Sequence, residues 1–127
     1  MDTAQQPARQ KHAPSTGVFD VEPTDEQRMM IDAFGSFAAA KLRPAAQAAD
    51  AACKAPPELL AESAELGITA LGIPEQLGGA VEERSAVTLA LITEALASGD
   101  MGLAYAALAP SAVSTALSLW GLSLIHI

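Results

Sequence analysis

Acid–base chemistry in this chain would fall to two carboxylates, Glu75 in a Pro-Glu turn and Glu94 near the end of an apolar stretch. A carboxylate that moves a proton in catalysis needs a positioned partner or a raised pKa. The residues around Glu75 and Glu94 supply neither, so both are expected to be structural or solvated. Glu82-Glu83-Arg84 reads as the charge cluster of a helix start rather than a site. Cys53 stands beside Lys54, which could lower a thiol pKa, but a lone cysteine is more often incidental, and it can form no internal disulfide. His12 and His126 lie toward the two ends and receive no role, and without a Cys cluster or a His-x-x-x-His spacing no metal site is expected. Tyr105 and Trp120 are the only Tyr and Trp, so there is no aromatic platform for nucleic-acid bases, and Trp120 is expected to be a packing anchor.

The elements that must position these side chains follow from composition. The 127 residues allow one domain with a buried core, since 50% are apolar. Only 4% are aromatic, with Ala, Leu and a few Met supplying the apolar bulk, so an all-α class is expected. A net charge of −8 with only 7 Lys and Arg argues against a phosphate-backbone partner, so no nucleic acid is expected. The single cysteine fits a reducing, cytoplasmic setting.

Residues 1–21 are read as a flexible tail: Met1 to Gly17 lack the apolar core of an export signal, and Pro7 and Pro14 weaken an amphipathic transit helix. Thr24-Asp25-Glu26-Gln27 has the form of a capping box, and Met30, Phe34, Phe37 and Ala38 recur at helical spacing. A first helix is predicted from Asp25 into the early forties, with Pro44 as a kink or stop and an alanine-rich continuation to about Asp50. A second starts at Pro57 or Glu58, turns Leu59, Leu60, Ser63 and Leu66 to one side, and is closed by Gly67. A third is predicted from Glu82 to Ala97, largely buried through Val87, Leu91 and the Leu89, Ile92, Leu96 row. Gly99-Asp100 is then a stop and a cap. The segment that follows, Met101 to Trp120, has no Asp, Glu, Lys or Arg. It has the length of a membrane span, but Pro110 and four hydroxyl residues favour a helix buried between other protein elements. Residues 122–127 have no cap and no charge and are read as a non-native or truncated end.

Between the second and third helices runs Leu66-Gly67-Ile68-Thr69-Ala70-Leu71-Gly72-Ile73-Pro74-Glu75-Gln76-Leu77-Gly78-Gly79, a helix stop, a short apolar segment and a Pro-Glu-x-x-Gly-Gly turn in fixed order. Together with the Thr24 start, and with Ile92 to Asp100 followed by the uncharged helix to Trp120-Gly121, this segment resembles the N-terminal helical domain of the acyl-CoA dehydrogenase family over residues 22–121. The resemblance implies an up-and-down-like bundle of about four to five helices. It also implies a flavoprotein in which a carboxylate takes the α proton of an acyl-CoA thioester while FAD accepts the β hydride. The FAD site and the catalytic base are expected in a β-rich middle domain and a C-terminal bundle that follow in the family, so no catalytic residue is assigned to this chain. The chain alone is expected to be inactive and to hold FAD weakly or not at all. An electron-transfer acceptor and a homo-oligomer are implied for the parent enzyme, in fatty acid metabolism.

Laid onto Gly99 to Gly121 without a gap, the family's acyl-lining helix implies Tyr105, Leu108, Ala109 and Ala112 as substrate-binding residues. Ala109 and Ala112 would leave room for an acyl chain and Tyr105 and Leu108 would limit its depth; ordinary helix packing accounts for the same spacing. Two other readings stay open. One is a non-catalytic helical interaction module. The other takes Met101 to Ile127 as a membrane anchor.

Overall fold

The computed structural model describes residues 22–79 and 84–124, with side chains to Gly121. The expectations for residues 1–21, His12, Glu82, Glu83 and His126 lie outside the described residues. Among the described residues there are five α-helices and no β-strand: α1 (Asp25–Phe37), α2 (Arg43–Ala52), α3 (Pro57–Glu65), α4 (Ala86–Ala97) and α5 (Met101–Leu124). α5 therefore runs past Trp120 into the segment set aside from the sequence.

The capping box forms as the sequence predicts. The Gln27 N–H donates to Thr24 Oγ1 at 3.2 Å and the Thr24 N–H to Gln27 Oε1 at 2.9 Å. Each satisfies an amide that has no partner within the helix. α1 and α2 are one rod, joined through a π-helical turn over Ala38–Leu42 in which the Arg43 N–H bonds to the Ala38 carbonyl. Pro44 has no N–H, and in a regular helix its ring meets the carbonyl four residues back. Widening the turn just upstream carries the rod past the proline, so Pro44 neither stops nor sharply ends the helix. The rod closes at Cys53, which takes the left-handed conformation at φ +49° and is exposed. Gly67, at φ +86°, closes α3 as expected, because its C-cap Leu66 must be followed by a left-handed turn.

α1 packs on α4, α4 on α5, and α5 over the short 3-10 turn Ile68–Ala70 that follows α3. Phe34, Ala38, Leu42, Leu59, Ile68, Leu71, Ile92, Leu96, Leu103, Ala104 and Ala107 meet in one core. Burying a Leu or Ile here contributes about 1.5–3 kcal/mol each.

The structure corrects four expectations about α3, α4 and Trp120. α4 begins at Ala86 rather than Glu82, because Ser85 sits in extended backbone and its side chain accepts the Thr88 N–H; Arg84 precedes this cap. α4 is not largely buried: Ile92 and Leu96 are inside, but Val87 is 63% exposed and Leu89 40%, since only one side of the helix meets α1 and α5. Leu66 faces outward from the end of α3. Trp120 is 66% exposed and so is not a buried packing anchor.

The turn from α4 to α5 crosses the π-turn closely. A Cβ on Gly99 would lie 2.7 Å from the Ala38 carbonyl oxygen and 3.0 Å from the Ala38 Cβ. Those are rigid neighbours. Gly99→Ala is expected to cost about 1–3 kcal/mol through this overpacking, read as a lowered urea midpoint with an unchanged slope.

Candidate functional site

Asp100 caps the start of α5, its Oδ1 accepting the Leu103 N–H at 2.8 Å. That bond replaces one the helix cannot supply itself and fixes where the helix begins. The register then follows. Leu103, Ala104, Ala107 and Ser111 turn into the core. Tyr105, Ala109 and Ala112, at i, i+4 and i+7, come together as one stripe on the opposite side, exposed along its length, with Tyr105 at 77%. Leu108 departs from this stripe: it is half-buried at its edge and packs against the core. Three of the four residues assigned from the sequence thus share an outward surface, and the fourth borders it.

The expectation that α5 would be buried between other elements is corrected for this chain. One face is docked and the other is open, because no described element lies across it. Met101, Val113, Leu117 and Trp120 are exposed along the same open side and were not assigned to the substrate site from the sequence. Their one advance signal was the absence of charge from Met101 to Trp120: an exposed helical face ordinarily carries Lys or Glu, and this one carries none. By length and composition Met101–Gly121, with a mean hydropathy of 1.3, is long and apolar enough to cross a membrane. Its docked face and its bond to a distant loop also suit a helix waiting for protein cover.

The connector from Gly67 to Gly79 supports α5 from beneath. Ser111 Oγ donates to the Leu71 carbonyl at 2.5 Å, and Gly72 sits at φ +82° directly against Thr115. Gly79 lies so close to the Ile73 carbonyl that any side chain there would collide with backbone. The Pro-Glu-x-x-Gly-Gly turn is therefore packing and turn chemistry, as expected from its residues.

A separate hollow of about 730 Å³ opens between the starts of α1 and α4 and the connector, floored by Met30, Leu71, Leu89, Ile92 and Leu119. Glu26, Glu75 and Arg84 also line it, whereas none of Tyr105, Leu108, Ala109 and Ala112 does. Glu75 and Glu94 are both exposed, and the structure brings neither to the α5 stripe. The buried polar side chains, Ser63 and Ser111, are each bonded to a backbone carbonyl, and among the described residues no buried side-chain polar atom lacks a partner. No group of three or more His, Cys, Asp or Glu suited to a metal occurs among the described residues.

The profile of the family described as acyl-CoA dehydrogenase, N-terminal domain, matches residues 24–123. The chain is also similar to benzylmalonyl-CoA dehydrogenase of Aromatoleum aromaticum, at 38% identity over 96 residues, which covers 76% of this chain and 25% of that protein. It thus spans about a quarter of the length of the curated relative it matches. No solved structure matches it. The helix order, the capped start at Thr24 and the connector between α3 and α4 all fall inside the matched span, and the chain belongs to the acyl-CoA dehydrogenase family, whose N-terminal domain it carries.

Proposed function

We propose that this chain is the N-terminal region of an FAD-dependent acyl-CoA dehydrogenase-like oxidoreductase, in which the outward face of α5 forms one wall of the site for the acyl end of the thioester. The observation that carries the reading is the open, uncharged face itself: Ala109 and Ala112 form a shallow strip, with Tyr105 standing beside it. An acyl chain gains free energy in proportion to the apolar area it buries, and a small-residue strip lets it approach the helix backbone. Charge on this face would oppose that burial.

No residue of this chain is assigned to the proton and hydride transfers, which the reading gives to other parts of the parent. FAD, when bound there, would accept the β hydrogen as hydride. The chain's own contribution is to cover and measure the acyl group, and by itself it is inactive. The parent is proposed to be cytoplasmic and homo-oligomeric and to pass its electrons to a separate acceptor. The name of the similar Aromatoleum protein is consistent with a CoA-thioester substrate for this chain's parent.

The test is expression of the complete reading frame. The purified protein is expected to carry the yellow flavin band and to lose it on anaerobic addition of a suitable acyl-CoA from a panel of straight, branched and aromatic thioesters. A complete protein with bound flavin that no acyl-CoA bleaches would overturn the reading, as would one with no flavin site at all.

A further inference from the structure

Pro110 divides α5. A proline inside a helix cannot donate to the carbonyl four residues back, so the ladder loses a rung at Ala106. The half beyond it, which carries Ala112, Val113, Leu117 and Trp120, would swing most easily about this point. Directly after the break, however, stand two contacts to the connector. Ser111, only 2% exposed, reaches across 40 residues of sequence to the Leu71 carbonyl. One turn later Thr115 closes on Gly72, where an added Cβ would lie 2.6 Å from Thr115 Oγ1.

Thr88 also reaches off its helix, its Oγ1 accepting from Gln27 Nε2 at 2.9 Å, but four other hydroxyls stay local. Ser63, Thr93, Ser98 and Ser118 all return their hydrogen bonds to a carbonyl three or four residues back on their own chain segment. That is the usual habit of Ser and Thr in helices. Ser111 instead leaves its helix, and it does so where the helix is weakest.

We propose that Ser111 and Gly72 are positioning residues that clamp the carboxyl half of α5 onto the connector and thereby set the acyl length the parent enzyme accepts. The inference rests on the reading of the α5 face as the acyl wall. Ser111 touches no part of that face; it acts through the angle at which the half-helix after Pro110 leaves the break. With the clamp intact, Ala112 and the residues after it stand at a fixed distance from whatever closes the site on the other side. Without it, that distance relaxes while the half before Pro110 keeps its Asp100 cap and core face.

The test uses Ser111→Ala. In the present chain, hydrogen exchange at the amides of residues 112–121 is expected to quicken about 5- to 10-fold, the size of one lost buried hydrogen bond, with residues 101–109 unchanged. In the complete enzyme, the ratio of kcat/KM for long to short acyl-CoA thioesters is expected to change by at least about threefold. Thr115→Ala keeps the Ser111 bond but opens the Gly72 contact, and should give the same local pattern at smaller size even if Ser111→Ala folds poorly. Exchange that quickens uniformly along α5, or an unchanged acyl-length ratio, overturns the clamp and leaves Ser111 a stability residue only. Ala109→Trp separates the two failures: if it shifts the acyl-length profile and the clamp variants do not, the wall stands without the clamp. If neither does, the wall reading fails and the clamp with it.

Discussion

Leu96→Ala is expected to remove about 2–5 kcal/mol of stability, enough to unfold much of the chain at room temperature. Leu96 is fully buried, on the side of α4 that meets α1 and α5, in the same cluster as Phe34, Ala38, Leu42 and Leu103. Truncation there loses the transfer free energy of the side chain and leaves a cavity that three helices cannot collapse together to fill. The contrast is Leu89→Ala, one residue of the same type on the same helix but 40% exposed; it should cost no more than about 1 kcal/mol. Urea titrations followed by far-ultraviolet circular dichroism compare the two directly. Equal losses at both positions would mean that α4 is docked with a different phase from the one described.

Ala109→Trp is expected to abolish turnover of the longer acyl-CoA thioesters in the complete enzyme, by about 100-fold in kcat/KM or more, while short ones lose less than about threefold. Ala109 is exposed on the outward stripe, so the indole can be accommodated without disturbing the core and the isolated chain should keep its stability. The effect then has to come from what the stripe faces. Tyr105→Ala should work in the opposite direction and admit longer chains, because it removes the largest exposed side chain of the stripe. Initial rates across a series of thioesters of increasing length decide the matter. A uniform loss at all lengths, or none, removes the stripe from the substrate site.

Much of the placement of the α5 stripe was legible in the sequence. Tyr105, Ala109 and Ala112 share one surface because helical spacing alone puts i, i+4 and i+7 together, and Asp100 fixes where the count begins. Leu108 was harder to place: one residue before Ala109, it lies at the border between two faces, and whether it belongs to the stripe or the core depends on how α5 is rotated against its neighbours. The glycines were legible as turns but not as contacts. Gly99 and Gly72 matter because of Ala38 and Thr115, residues far away in sequence.

The sequence by itself determined the punctuation of this protein: the Thr24–Gln27 box, the left-handed stop at Gly67, the Asp100 cap, the uncharged character of the last helix and the family to which their order points. These depend on groups within a few residues of each other, so local chemistry suffices. Only the tertiary structure decided which sides of α4 and α5 are buried. Both helices are apolar nearly all the way round, so their periodicity carries no phase and cannot say which face is the core. That choice is made by close approach and distant bonds, Gly99 against Ala38 and Ser111 to Leu71, which turn one side of α5 inward and leave the side with Tyr105, Ala109 and Ala112 open.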